Sequence, residues 1–317
     1  MTDYHPLFLR LLRRCGLELG DVRNDARWSE LAKRVSRAFV ENDESRYLSE
    51  RSLDISSREM KALNDALAEE RKRLQNELLV AQNLQTSILP RDLETAKRAV
   101  AARMAPATEV GSDYYDVIPA DGACWVGIGD VAGHGLRAAV IMTMVQSMTA
   151  TLVRHIPTIA PREVIASINR GIRENVFARM GFDNHVTMTL FRCDDDGTVT
   201  FAGAHEPILV VRAGATEAEE IDTPGTWLGP RDDIEEATTD STLKLEPGDL
   251  LVVHTDGVVE ARNADRKQFT FERLSSRVVE LRDQPVAAIC DAILEDVRTW
   301  QATPADDVTI LAYRRLA

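Results

Sequence analysis

Cysteine is scarce in this sequence, and its spacing points to neither a cross-linked nor a zinc-bound protein. The four cysteines are far apart and form no CxxC pair; they are Cys15, Cys124, Cys193 and Cys290. This spacing argues against a zinc knuckle and a disulfide framework. We interpret all four as reduced thiols, which is typical of a cytoplasmic protein.

Proline and glycine are nearly missing from the first 89 residues. Pro6 is the only proline there, and Gly16 and Gly20 are the only glycines. A segment with so few breakers is expected to be helical. The apolar spacing predicts a short helix from Phe8 that ends near Gly16, and a second helix from about Trp28 to Val40.

A third, long helix is predicted over about residues 45–89. Its apolar residues alternate at spacings of three and four, the heptad pattern of a coiled coil. They are Met60, Leu63, Leu67, Leu74, Ala81, Leu84 and Ile88. Glu70 and Glu77 also fall on this seam, so the coil is imperfect. The helix could pack on its own domain, but its length without proline or glycine favours a dimeric coiled coil that transmits a signal.

The chain also lacks long apolar runs and an excess of positive charge. The best membrane candidate, residues 136–153, contains Arg137 and Gln146, so a buried core helix is the better interpretation. The N-terminal apolar stretch is short and interrupted by arginine, which argues against a signal peptide. A net charge of −13 makes nucleic acid a poor candidate partner. The motifs GxxxxGK[ST], HExxH and GxSxG are missing, so a P-loop enzyme, a zinc protease and a serine hydrolase are unsupported.

After Pro90 the pattern changes to short β-rich runs separated by glycine, aspartate and asparagine. These runs cover residues 124–130, 185–194, 198–204, 207–214, 249–257 and 306–313. Helical blocks lie at about 136–153, 161–176 and 285–301. Hairpins with segregated helices predict an α+β domain with antiparallel sheets.

Four aspartates lie beside predicted strand ends: Asp113, Asp130, Asp256 and Asp306. The end of one antiparallel strand and the start of its neighbour meet at one sheet edge, so these carboxylates could converge. A tight carboxylate cluster needs a cation to stay ionised, and oxygen ligands favour Mg²⁺ or Mn²⁺ over zinc. Aspartates at strand ends are also ordinary turn formers, and spacing alone leaves both interpretations open.

A set of motifs in a fixed order helps to decide between a metal site and ordinary turns. They are AQNLQTSILP at 81–90, VGSDYYDV at 110–117, GDVAGHGLRAA at 129–139, GAHEP at 203–207, PGD at 247–249, HTDGVVEARN at 254–263 and ADDVTIL at 305–311. From about Leu78 to Tyr313 the chain resembles the SpoIIE/RsbU-like bacterial branch of the PPM family, the metal-dependent phosphatases of type 2C. It departs from that pattern at Ser112, where the family usually has glycine.

The resemblance implies two stacked antiparallel β-sheets flanked by helices. The heptad pattern adds a helical, coiled-coil N-terminal arm before them. The resemblance also implies two divalent cations, Mn²⁺ or Mg²⁺, at one end of the sandwich. By motif, Asp113 would bind one ion, Asp130 would bridge both, and the carbonyl of Val131 would join the first ion. Asp256 and Asp306 would hold the second, with Asp307 in a supporting role.

The helical patterns predict an N-terminal segment over 1–44 that is a candidate regulatory input, and a coiled-coil linker helix over 45–94. The resemblance predicts a phosphatase domain over 95–317. The implied function is a cytoplasmic protein serine/threonine phosphatase that uses water activated by the cations. The implied substrate is a phosphorylated STAS-type anti-sigma-factor antagonist. A homodimer through the long helix and an upstream regulator are also expected.

Two other functions remain open at this stage. One is a catalytically weak regulatory protein that binds a phosphoprotein without turnover; the other is a coiled-coil adaptor with a structural C-terminal domain. Three histidines, His134, His205 and His254, lie within the motifs and are candidates for a general acid. For each of them we favour a role in a hydrogen-bonded turn or in the core.

Overall fold

The protein is described by a computed structural model that covers residues 4–14, 26–90, 92–108 and 110–317. It divides into two compact units, one up to Gln75 and one from Asn76 to Ala317. Cys15 and the predicted helix end at Gly16 lie outside the described residues.

Two helices form the N-terminal part: α1 spans Pro6–Arg14 and α2 spans Ala26–Ile88. The prediction of two separate helices over 28–40 and 45–89 was wrong, because α2 runs through the junction without interruption. The residues at that junction, 41–44, read Glu-Asn-Asp-Glu. They interrupt the apolar pattern, but they include no proline or glycine that would end a helix.

Within the first unit, the residue before α1 is bonded to α2. The backbone N–H of His5 donates to the Ser36 hydroxyl at 2.7 Å, and the His5 ring stacks on Phe39. Phe8 of α1 and Ala32 of α2 are buried, so the amphipathic face of α1 has a partner within this unit.

Two antiparallel sheets build the second unit, as the α+β prediction required. The strands are β1 (Leu93–Glu94), β2 (Arg98–Ala105), β3 (Asp113–Ala120), β4 (Ala123–Val131), β5 (Val186–Asp194), β6 (Thr198–Ala204), β7 (Ile208–Val211), β8 (Glu219–Ile221), β9 (Ser241–Lys244), β10 (Leu250–His254) and β11 (Val308–Arg315). The first sheet has the order β1-β2-β11-β10-β7-β8, and the second has the order β3-β4-β5-β6-β9.

Helices cover the outer face of each sheet. They are α3 (Leu136–His155), α4 (Pro161–Ile172) with a π-helical continuation (Arg173–Arg179), α5 (Asp256–Val259), α6 (Phe271–Leu281) and α7 (Val286–Trp300). Neighbouring strand residues face opposite layers. Tyr114 lies in the core between the second sheet and helices α3 and α4, together with Ile141. Tyr115 lies in the core between the two sheets, together with Phe191.

Helix α3 is the one described helix long and apolar enough, by length and composition, to cross a membrane. Its buried residues include Ile141, Met142 and Val145, and they belong to the core between this helix and the second sheet. Helix α3 is therefore packed as a core helix, the interpretation favoured by the sequence.

Candidate metal centre

The strand register brings two of the four predicted aspartates together on the second sheet. Asp113 opens β3 and lies directly opposite Asp130, near the end of β4. On the first sheet, Asp256 follows β10 and Asp306 precedes β11, and these two strands are antiparallel neighbours. Because the end of β10 and the start of β11 share one edge, each sheet presents a pair of carboxylates.

Asp113 is buried and held by two threonines of the first sheet. Its Oδ2 accepts hydrogen bonds from the hydroxyls of Thr255 at 2.9 Å and Thr309 at 2.6 Å. Thr255 is itself fixed, because its hydroxyl accepts the backbone N–H of Thr309. Burial and the nearby charge of Asp130 nevertheless raise the pKa of Asp113 well above its usual value. The carboxylate is thus fixed in place but is costly to ionise in the metal-free protein.

Asp130 shows that carboxylates of both sheets converge. Burial, and then the charges of Asp256, Asp306 and Asp307, raise the pKa of Asp130 to about 7. Its Oδ1 is buried and has no hydrogen-bond partner among the residues that the structure describes. A buried oxygen of this kind needs a compensating partner, and a cation can supply it.

Asp256 and Asp306, the pair on the first sheet, lie on two segments whose backbones are in close contact. A Cβ at Gly257 would lie 1.9 Å from the carbonyl oxygen of Asp307, so only glycine allows the start of α5 to approach this segment. Burial raises the pKa of Asp256 and of Asp306. Glycine at this position therefore allows Asp256 and Asp306 to come together at the edge.

Asp307 faces the segment before β3 and fixes it. Its Oδ1 accepts the backbone N–H of Ala107 at 2.7 Å. Its Oδ2 accepts the backbone N–H of Ser112 at 2.5 Å and the Ser112 hydroxyl at 2.8 Å. The hydroxyl bond is one that a glycine at position 112 would not make. Both oxygens of Asp307 thus support the loop that leads to Asp113.

The donor set fits hard divalent cations. Four carboxylates with raised pKa values and the unpartnered oxygen of Asp130 are typical of a site that binds positive charge. Over residues 4–14, 26–90, 92–108 and 110–317, however, no group of three or more histidine, cysteine or acidic side chains is already arranged to hold an ion.

Of the three motif histidines, His254 is buried and His205 is partly buried. His205 Nδ1 lies 2.9 Å from the Thr187 hydroxyl, and His254 Nδ1 lies 3.0 Å from the carbonyl oxygen of Thr255. Burial lowers the pKa of His205 to about 3 and that of His254 to about 4, so both are neutral at pH 7. His134 differs, because it is exposed.

The PGD motif has a structural role in the fold. Asp249 is buried and accepts hydrogen bonds from the backbone N–H groups of Ala213 and Glu246 and from the guanidinium of Arg212. These bonds join the turn before β10 to the end of β7. Asp249 thus fixes a corner of the first sheet.

Sequence analysis missed three residues that support the site: Thr255, Thr309 and Gln85. Each lies inside a quoted motif, and each of the threonines lies within three residues of a predicted ligand. That proximity was a usable signal for the threonines. The signal for Gln85 was weaker, because its motif lies at the end of a helix far from any aspartate in sequence.

A two-sheet antiparallel sandwich with helices on both outer faces, and with aspartates of both sheets meeting at one end, defines the PPM or type 2C class of metal-dependent phosphatases. Within that class, the model of the family Stage II sporulation protein E (SpoIIE) matches residues 120–316. The chain belongs to this SpoIIE family.

Known proteins agree with this placement. Phosphoserine phosphatase RsbU of Bacillus subtilis (strain 168) is 27% identical over 254 residues, which cover 76% of this chain and 71% of RsbU. The SiaA-PP2C domain of Pseudomonas aeruginosa superposes with a TM-score of 0.66 at 19% identity, over 77% of this chain and 98% of that domain. The catalytic domain of the phosphatase PstP in complex with 2 manganese ions gives a TM-score of 0.54 at 15% identity, over 70% of this chain and 100% of that domain. The two solved structures show that the fold is shared.

Proposed function

We propose that this protein is a metal-dependent phosphatase that removes phosphate from phosphoserine or phosphothreonine on a STAS-type anti-sigma-factor antagonist. Two observations on Asp130 carry the proposal: besides burial, the charges of Asp256 and Asp306 on the first sheet help to raise its pKa, and its buried Oδ1 has no hydrogen-bond partner among the described residues. Membership of the SpoIIE family and the likeness to a phosphoserine phosphatase support the reaction type. The substrate class follows from the RsbU-like branch and stays a proposal.

In the proposed site, Asp113, Asp130, Asp256 and Asp306 hold two cations, Mn²⁺ or Mg²⁺, with the carbonyl of Val131. Cations bound there would activate water for attack on phosphorus and offset the charge of the phosphoryl group. The chain's own contribution is to position the ligands. Thr255 and Thr309 fix one oxygen of Asp113, and burial keeps bulk water away from that carboxylate.

The assembly that we propose is a homodimer through α2, under the control of an upstream partner. Apolar side chains along the heptad seam are exposed on the single chain. The exposed fractions are 58% for Met60, 65% for Leu63, 66% for Leu67, 48% for Leu74, 64% for Leu84 and 39% for Ile88. A second copy of the helix would cover this seam.

The test is a phosphatase assay on a phosphorylated STAS-domain protein with Mn²⁺, with and without chelator. We expect turnover that the chelator abolishes. Asp130→Asn and Asp256→Asn should each lose most of the activity at limiting Mn²⁺, because each removes one carboxylate charge from the site. Asp283→Asn serves as the matched control, since the Asp283 side chain is 85% exposed in the loop after α6.

Near-wild-type turnover in both site variants would overturn the metal-centre assignment. Tight binding of the phosphoprotein without turnover at any Mn²⁺ concentration would instead indicate a regulatory binding protein. Turnover of a phosphopeptide but not of the STAS-domain protein would keep the phosphatase and reject the substrate class.

A further inference from the structure

The last turns of α2 carry a buried amide, and both of its polar groups bond to the backbone of one residue of the catalytic domain. Gln85 is 7% exposed, and it belongs to the unit formed by residues 76–317. Its Nε2 donates to the carbonyl oxygen of Gly111 at 2.7 Å. Its Oε1 accepts the backbone N–H of Gly111 at 3.1 Å. One side chain thus satisfies both backbone groups of a single residue.

Gly111 lies two residues before Asp113, in a segment that belongs to no strand. A side chain at this position would be crowded, because a Cβ would lie 3.1 Å from Oδ2 of Asp307 and 3.6 Å from the sulfur of Met104. The next residue, Ser112, is held from the other side by Asp307. The approach to Asp113 is therefore fixed at two consecutive residues, by Gln85 at Gly111 and by Asp307 at Ser112.

We propose that Gln85 is a positioning residue for the metal centre. Its amide fixes the backbone of Gly111. Through that backbone it fixes the position of the Asp113 carboxylate at the start of β3. Without the amide, a buried N–H and a buried C=O of Gly111 lose their partners, and the segment must move to regain them. A ligand shell tolerates only small displacements, so cation affinity falls before the fold is lost. This inference rests on the proposed metal centre.

Gln85→Met tests the proposal, because methionine keeps the length and helix propensity of glutamine but makes no amide hydrogen bond. Gln75→Met is the matched control: it is the same change on the same helix, at an exposed position. Mn²⁺ binding to the full-length protein is measured by calorimetry without substrate, together with the melting temperature of the metal-free protein. We expect Gln85→Met to bind Mn²⁺ about tenfold more weakly or worse, as for other residues that orient metal ligands. Gln75→Met should bind like the wild type.

The Mn²⁺ dependence of turnover gives a second measurement. Gln85→Met should need about tenfold more Mn²⁺ for half-maximal activity and regain most of the wild-type rate at saturation. A lower melting temperature with wild-type Mn²⁺ affinity would show that Gln85 is only a structural contact, and would overturn the proposal. Asp113→Asn distinguishes a failure of the metal centre from a failure of the role of Gln85. Wild-type Mn²⁺ affinity in Asp113→Asn rejects the metal centre itself, whereas lost affinity there with wild-type affinity in Gln85→Met rejects only the role of Gln85.

Discussion

Asp130 is the residue whose titration describes the site most directly. Its pKa of about 7 means that, without a cation, the protein holds a proton on this carboxylate near neutrality. At the proposed site a divalent cation would displace that proton, so cation binding and protonation would compete for the same oxygens. The same competition applies to Asp113, whose pKa is also raised by burial and by its neighbour's charge.

The sign of this shift predicts how the metal-free protein responds to pH. An unfolded aspartate titrates at about 3.9, so between that value and about 7 the folded protein binds more protons than the unfolded chain. The free energy of unfolding therefore falls as the pH rises through this window. We expect the melting temperature of the metal-free protein to fall from about pH 4 to about pH 7, and Asp130→Asn to show a smaller fall.

Thermal melts in chelator across this pH range check the expectation, with Asp283→Asn as the control that keeps the wild-type slope. Saturating Mn²⁺ should remove most of the fall in the wild type. Identical pH profiles for wild type and Asp130→Asn would contradict a raised pKa at Asp130.

The aspartates were predictable from sequence because each lies in a motif at a strand end. The residues that hold them were not, because their contacts depend on how the two sheets dock. Thr309 and Asp113 are 196 positions apart, and no local pattern relates them. The bond from Ser112 to Asp307 joins residues 195 positions apart, so it too depends on the docking of the two sheets.

Helix α2 is the element for which the sequence pattern was both informative and misleading. The heptad seam correctly predicted a long helix up to Ile88, and the lack of breakers was the decisive signal. Residues 41–44 also lack proline and glycine. Their loss of apolar periodicity nevertheless led to the prediction of a helix end there. Periodicity reports which face is buried, whereas proline and glycine report where a helix stops.

A change of phase within α2 tests whether the arm regulates the catalytic domain. One residue inserted after Asn76 turns the preceding helix by about 100° relative to Gln85, whereas seven residues nearly restore the heptad phase. If the arm sets the population of a metal-competent state, the single insertion should change activity strongly and the seven-residue insertion should largely restore it.

Phosphatase rates of both insertion variants over a range of Mn²⁺ concentrations provide the measurement. Equal activity in both variants and in the wild type, at every Mn²⁺ concentration, would mean that the arm only tethers the catalytic domain.

At the scale of the whole molecule, the exposed apolar seam on α2 indicates a binding partner. Isolated surface leucines are common, but a row of them in heptad register along one helix is not expected of a monomer. The imperfections at Glu70 and Glu77 are compatible with a coil of moderate stability that can change its packing.

We expect the full-length protein to be a dimer at micromolar concentration, and Leu67→Asp to be mainly monomeric because it places a charge on the seam. Leu48→Asp is the matched control, since Leu48 is 64% exposed on the same helix but off the heptad seam. Light scattering on the three proteins measures the mass. A monomeric wild type, or equal dissociation in both variants, would contradict a homodimer through the seam and would mean that the seam binds another partner.

The bonds from Thr255 and Thr309 to Asp113 cross from one sheet to the other, and they have a consequence for the order of folding. Asp113 and Asp130 belong to one sheet, and Asp256 and Asp306 flank strands of the other. An intermediate with a single formed sheet would present only half of the ligands. Cation capture would therefore be a late event that follows docking of the sheets. A cation bound by carboxylates of both sheets would oppose the separation of the two sheets.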